Sequence, residues 1–91
     1  MANVIWTDEA LTNLELIVDY IEQFDPQAAV RMALRLISAS ESLRDFPNRG
    51  RPAGETFREL PGVRPYVIRY RVAAEIVYII RIRHGARRPE D

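Results

Sequence analysis

The stretch YVIRYRVAAEIVYIIRIR, residues 66–83, decides the fold of this chain. Apolar side chains recur at every second position in residues 66–72 and again in residues 76–83, which is the period of a strand with one buried face. Only Ala73-Ala74-Glu75 lies between them, so the two strands are predicted to pair as an antiparallel hairpin. If Val72 pairs with Ile76, the register places Arg69 opposite Ile79, Arg71 opposite Val77, and Arg81 opposite Val67.

The segments before this hairpin complete the set of predicted elements. Residues 4–7 are short and β-prone, and residues 56–60 can form a further strand that ends at Pro61-Gly62. Between these two strands the apolar period is that of a helix. One amphipathic helix is predicted over residues 8–24, capped by Thr7 or Asp8. A second helix begins at Asp25-Pro26 and ends before Pro47 and Gly50. Its predicted buried stripe consists of Met32, Leu36, Ala39, Leu43 and Phe46. The stripe is predicted to be widened by further apolar residues, which are Ala28, Ala29, Val30, Leu34 and Ile37.

This order of elements predicts the fold class. A strand, two helices and three consecutive strands are typical of an α+β protein. We expect an antiparallel helical hairpin packed on one face of a small, mainly antiparallel sheet that ends in a three-stranded meander. The 91 residues suffice for a single domain, 1–91.

The two faces of the final strands differ in chemistry. The even positions are apolar and should lie under the helices, whereas the odd positions alternate arginines with aliphatic residues. Such a mixed face is suited to bind an amphipathic, acid-bearing segment of a partner, although a plain solvated face is the alternative. The predicted partner-binding residues are Arg69, Arg71, Arg81, Arg83, Val67, Val77 and Ile79.

Charge is unevenly distributed along the chain. Residues 1–48 contain three arginines and eight acids, whereas residues 49–91 contain ten arginines and five acids, so balances of −5 and +5 cancel. All thirteen basic residues are arginine. The second half is therefore expected to present a basic surface to an acidic partner or a phosphate backbone.

Composition excludes several classes of site. The chain has no cysteine and one histidine, which excludes disulfides and argues against a zinc site built from this chain alone. No nucleophile elbow, phosphate-binding glycine loop or metal-ligand cluster is present, so no cofactor or metal is expected. The N-terminus lacks the pattern of a signal peptide and no apolar run approaches the length of a membrane span, so we expect a cytoplasmic protein without a membrane partner.

Few residues are suited to acid–base chemistry. His84 titrates near neutrality and could act as a general acid or base, although a histidine at a strand end more often caps or packs. Arginine cannot act as a base, but it can hold a phosphate or a developing charge. Arg49 and Arg51 flank Gly50 in a predicted loop, where they could grip a phosphate or simply keep the loop soluble.

The order of several short motifs resembles the ParE/RelE toxin superfamily. These motifs are TDEAL at residues 7–11, FPNRGRP at 46–52, REL at 58–60, YVIRYR at 66–71 and IRIRHGAR at 80–87. They span almost the whole chain. The resemblance implies the toxin of a type II toxin–antitoxin system, neutralised by a cognate antitoxin protein.

Two targets are known for toxins of this superfamily. ParE-like members inhibit DNA gyrase without an established nuclease site, whereas RelE-like members cut messenger RNA on the ribosome. The pI near 6.6, the absence of lysine and the lack of a C-terminal aromatic residue favour gyrase and a protein that is not an enzyme. In the nuclease alternative, the resemblance implies Glu59, Arg69, Arg81 and His84 as catalytic residues and direct contact with nucleic acid. A third alternative is an inactive module that only binds antitoxin.

Overall fold

The computed structural model describes residues 2–85 and has the predicted α+β architecture. Along the chain the elements are β1 (Asn3–Trp6), α1 (Asp8–Glu22), α2 (Pro26–Glu41), a 3-10 turn (Ser42–Arg44), β2 (Arg51–Ala53), β3 (Phe57–Val63), β4 (Tyr66–Ala73) and β5 (Ile76–His84). The sheet order is β1-β5-β4-β3-β2. Only the β1–β5 pair is parallel, so the mainly antiparallel sheet with its β3–β4–β5 meander is confirmed. Neither α1 nor α2 is long and apolar enough to cross a membrane.

The helix starts lie where the capping residues predict them. The Thr7 hydroxyl accepts from the Ala10 N–H at 3.2 Å and donates to the Ile79 carbonyl at 2.8 Å, so it caps α1 and also ties it to β5. The Asp25 carboxylate accepts from the Ala28 N–H at 3.1 Å, and Pro26 occupies the first turn of α2. Polar side chains thus satisfy backbone donors that a helix leaves without an internal partner.

The largest differences from the predicted elements lie in α2, β2 and β3. α2 ends at Glu41 rather than near Phe46, because the chain tightens into the 3-10 turn. β2 forms inside the predicted loop, where Pro52 is tolerated because β2 is an edge strand. β3 continues through Pro61-Gly62 to Val63, with an irregularity in its pairing to β4 at that point.

The predicted register of the β4–β5 hairpin is wrong. Arg69 pairs with Arg81 and Tyr70 with Ile79, so Ile80 is an extra residue that forms a β-bulge in β5. Beyond the bulge Val72 pairs with Val77, not with Ile76, and Arg71 lies opposite Tyr78. Because side chains alternate between the two faces of a strand, one extra residue moves every later side chain to the other face.

The core lies between the helical hairpin and the face of the sheet that carries Ile68 and Tyr70. The bulge brings Val77 and Ile79 to this face, and both are fully buried, whereas Ile80 is only partly buried. Leu36 of α2 and Leu43 of the 3-10 turn are the fully buried leucines that cover it. On the other side of α2, Val30, Leu34 and Ile37 are exposed, so the prediction that they widen the buried stripe is wrong.

The buried Tyr70 hydroxyl fixes the loop that precedes β2. It donates to the Pro47 carbonyl at 2.8 Å and accepts from the Gly50 N–H at 2.8 Å. A Cβ at Gly50 would lie 2.7 Å from the Tyr70 ring and hydroxyl, so only glycine fits at this close approach. Burial raises the pKa of Tyr70 above its ordinary value, which keeps the hydroxyl protonated and able to donate at neutral pH.

Tyr70→Phe should lower the free energy of unfolding by about 1–3 kcal/mol, because the Gly50 N–H and the Pro47 carbonyl lose their buried partner. Urea denaturation followed by circular dichroism measures the difference. Tyr20→Phe removes the same hydroxyl from a residue that is 62% exposed, and should change stability by less than about 0.5 kcal/mol. Equal shifts in the two variants would show that the hydroxyl of Tyr70 does not hold the loop.

Candidate partner-binding site on the open sheet face

Four arginines of β4 and β5 lie on the open face of the sheet, the face that points away from the helices. Arg69 and Arg71 of β4 alternate with the core residues Ile68 and Tyr70, and Arg69 pairs with Arg81 of β5. Arg83 follows two residues later on the same face. This common face for Arg69, Arg71, Arg81 and Arg83 agrees with the strand alternation in the sequence.

Glu59 of β3 holds two of these arginines in place. Its Oε2 accepts from Arg69 Nη2 at 3.0 Å and Nε at 3.2 Å, and its Oε1 accepts from Arg83 Nη2 at 3.1 Å. Glu59 is only 5% exposed, and a buried carboxylate is stable only when it is paired and hydrogen-bonded. The ion pairs of Glu59 with Arg69 and Arg83 therefore connect β3, β4 and β5 at the centre of the open face.

Aromatic rings and a second carboxylate position the arginines further. The guanidinium carbon of Arg69 lies 5.2 Å from the centroid of the Phe57 ring, and that of Arg71 lies 4.9 Å from the Tyr78 ring. Each cation–π contact contributes about 0.5–1 kcal/mol at partly exposed sites. Arg81 Nε lies 3.6 Å from Glu9 Oε2 at the start of α1. The open face is therefore cationic and pre-ordered before any partner binds.

The aliphatic residues predicted beside the arginines are not exposed. Val77 and Ile79 lie in the core on the helix side of the sheet, because the bulge at Ile80 reverses the alternation. Val67 pairs with Arg83 and is 7% exposed. The prediction that these three residues add an exposed apolar component to the arginine face is wrong. Residues 76–80 are all apolar, so the sequence does not mark which of them forms the bulge.

His84 does not lie with Glu59 and the arginines. It follows Arg83 directly in β5 and therefore points to the other side of the sheet, where its ring is edge-to-face with Tyr66 at a centroid distance of 5.8 Å. The pKa of Tyr66 is raised above its ordinary value, mainly by burial and also by the nearby Tyr20. Of the four residues named for a nuclease, the structure brings together Glu59, Arg69 and Arg81 and separates His84 from them.

The exposed apolar surface lies on the helical hairpin instead. Its largest members are Leu16, Tyr20 and Phe24 at one end, Val30 and Leu34 on α2, and Phe46 after the 3-10 turn. The apolar periodicity predicted that Val30, Leu34 and Phe46 are buried. That prediction is wrong because the apolar residues of this segment cover more than one face, and only one face packs on the sheet. Over residues 2–85 there is no group of three or more histidine, cysteine or acidic side chains placed to bind a metal ion.

Comparison with known proteins identifies the family. The family model described as the ParE toxin of the type II toxin–antitoxin system parDE matches residues 4–89. Toxin RelE2 of Caulobacter vibrioides is 60% identical over 87 residues, covering 96% of this chain and 99% of that toxin. Putative toxin Y4kP of Sinorhizobium fredii is 40% identical over 82 residues, covering 88% of this chain and 84% of that toxin.

A solved structure agrees with this assignment. A chain from the chromosomal ParDE toxin–antitoxin system of P. aeruginosa superposes with a TM-score of 0.82 and 25% identity, covering 92% of this chain and 96% of that chain. The protein belongs to the ParE toxin family, whose relatives carry both ParE and RelE names. It is the toxin of a type II toxin–antitoxin pair, and membership implies an antitoxin partner.

Proposed function

We propose that this toxin acts in the cytoplasm by binding and inhibiting DNA gyrase, without cleaving RNA, and that a cognate antitoxin neutralises it. The proposal is supported by the separate positions of the two residues that are suited to acid–base chemistry, Glu59 and His84. Both oxygens of Glu59 are engaged by guanidinium groups, and His84 lies on the opposite face of the sheet.

RNA cleavage makes demands that this arrangement does not meet. One group must take a proton from the attacking 2′-hydroxyl and another must give one to the leaving oxygen, and both must lie beside the same phosphate. Arginine cannot do either at neutral pH, and the chain has no lysine. The buried Glu59 carboxylate, which accepts from Arg69 and Arg83, serves to hold the sheet together. A toxin that acts by binding needs only such a stable surface.

The open face supplies a surface for an acidic partner. Arg71 and Arg81 are partly exposed on this face, where Arg71 contacts the Tyr78 ring and Arg81 Nε lies 3.6 Å from Glu9 Oε2. We assign this face, with Arg69 and Arg83 as its fixed centre, to electrostatic contact with an acidic segment of the antitoxin. Charge complementarity of this kind accelerates association and orients the partner.

His84→Gln tests whether toxicity depends on acid–base chemistry. The variant should remain toxic when it is produced without antitoxin, because inhibition by binding needs no proton transfer. Cells should induce the DNA-damage response, purified gyrase should lose supercoiling activity, and ribosome-bound messages should stay uncut. An RNA-cleaving enzyme dependent on this histidine would instead lose about 100- to 10,000-fold in rate.

Two results would contradict the proposal. If His84→Gln is folded by circular dichroism but harmless, and the parent protein cuts messages at the ribosomal A site, the protein is an endoribonuclease. If the parent protein neither inhibits gyrase nor cuts messages while still binding antitoxin, it is an inactive antitoxin-binding module.

A further inference from the structure

The solvent side of α1 carries a row of acidic side chains that the helix does not neutralise. Glu15, Asp19 and Glu22 follow one another by four and three residues, which places them on one face, and all three are exposed. Within residues 2–85 none of them takes part in an ion pair. The chain has no basic residue before Arg31. Because like charges one turn apart destabilise a helix, these acids do not serve the stability of the fold.

A row of exposed apolar side chains runs beside the acids. Leu16 and Tyr20 lie one turn apart on α1, and Phe24 follows in the short connection to α2. These three side chains are 61%, 62% and 73% exposed, so the core does not use them. The rings of Tyr20 and Phe24 are edge-to-face, with 5.4 Å between their centroids. The contact orders both rings in advance, which suits them as anchors in an interface.

The chemistry of these two rows specifies a cationic partner. Carboxylates attract arginine and lysine side chains by their charge, and the face of an aromatic ring attracts the same cations. An acidic antitoxin segment, which complements the arginine face, is repelled by α1. The helices and the arginine face also lie on opposite sides of the sheet. Gyrase offers the complementary chemistry, because an enzyme that acts on DNA holds its phosphate backbone with basic side chains.

We infer that the outer face of α1 is the surface by which the toxin binds its target, through a basic protein surface that gyrase supplies in the proposed function. Glu15 and Asp19 pair with basic side chains of the target. Tyr20 and Phe24 are the apolar anchors beside them. The inference rests on the proposed function, because that function names the target, and it deepens that function by assigning the surface that makes the contact.

Inhibition of supercoiling by purified gyrase tests the acidic row. Glu15→Gln combined with Asp19→Asn should raise the toxin concentration for half inhibition about 10-fold, because two charges that pair with a basic surface are removed. The matched control is Glu55→Gln combined with Glu75→Gln, which removes the same net charge from exposed turns of the sheet. It should change inhibition by less than about twofold, because charges outside the contact are screened by salt.

The same assay tests the aromatic anchors. Tyr20→Ala combined with Phe24→Ala should weaken inhibition by about 10- to 100-fold, because aromatic anchors contribute a large share of binding energy. The control is Val30→Ala combined with Leu34→Ala, which truncates exposed apolar residues of α2 and should change inhibition by less than about twofold. Circular dichroism checks that every variant is folded. Titration calorimetry with the cognate antitoxin should give affinities for the α1 variants within about twofold of the parent's.

Three results would overturn the inference while the parent inhibits gyrase. The first is equal inhibition by the parent and both α1 variants. The second is a parallel loss of antitoxin affinity, which would make α1 an antitoxin contact. The third is an oligomer of the isolated toxin that the Glu15 and Asp19 substitutions dissociate, because the arginine face of a second copy would then cover α1.

A parent that does not inhibit gyrase would show that the proposed function is wrong, and growth arrest would then decide the α1 surface separately. Each protein is produced in cells without antitoxin. Loss of arrest in the folded α1 variants, with antitoxin affinity retained, would support α1 as the contact with another basic target. Unchanged arrest in these variants, or a parent that does not arrest growth, would overturn the inference as well.

Discussion

Leu36→Ala is expected to lower the free energy of unfolding by about 2–5 kcal/mol. Leu36 is fully buried between α2 and the sheet, within the cluster that includes Leu43, Ile68 and Ile79. The truncation removes three buried carbons and leaves a cavity that a rigid sheet cannot close. Small domains are stable by only about 5–15 kcal/mol, so the variant should denature at a clearly lower urea concentration.

Leu34→Ala is the matched control on the same helix. It makes the same chemical change two residues away, at a side chain that faces solvent, and should cost less than about 0.5 kcal/mol in the isolated toxin. Equal destabilisation of the two variants would mean that the assignment of the buried face of α2 is wrong.

Glu59→Gln is expected to cost about 3–5 kcal/mol, although it changes the shape of the side chain very little. The amide removes the negative charge between Arg69 and Arg83, whose side chains are largely buried. Arg69 and Arg83 then lose, in a largely buried position, the carboxylate that pairs with both of them, which is strongly unfavourable. Chemical denaturation at low and high salt measures the decrease in the free energy of unfolding. Because the charges are buried, this decrease should depend little on salt.

Glu55→Gln provides the comparison for this variant, because Glu55 is exposed in the turn between β2 and β3. Its substitution should change stability by no more than about 0.5 kcal/mol. A Glu59→Gln protein as stable as Glu55→Gln would show that the ionic cluster does not stabilise the sheet. A Glu59→Gln protein that keeps its stability but loses cleavage of RNA would instead make Glu59 a catalytic carboxylate and contradict the proposed function.

The arginine face shows how far residue patterns predict a site. Strand alternation correctly places Arg69, Arg71, Arg81 and Arg83 on one side of the sheet, since each strand has a period of two on its own side of the bulge. It does not reveal the role of Glu59, because that role depends on a neighbour in β4 and another in β5. Glu59 and His84 are both suitable acid–base residues by type, and only their positions on opposite faces distinguish them.

The sequence by itself determined the order of the two helices and of strands β1, β3, β4 and β5, the helix caps and the fold class. Helix starts at Thr7 and Asp25, the short connections, and the change of apolar period are local properties, set by backbone hydrogen bonding and by the geometry of neighbouring residues. The tertiary structure decided which apolar residues are buried. The bulge at Ile80 takes Val77 and Ile79 into the core, and only one side of α2 packs on the sheet, so Leu34 faces solvent. Burial depends on what packs from elsewhere in the chain, and a one-residue shift in pairing reverses it.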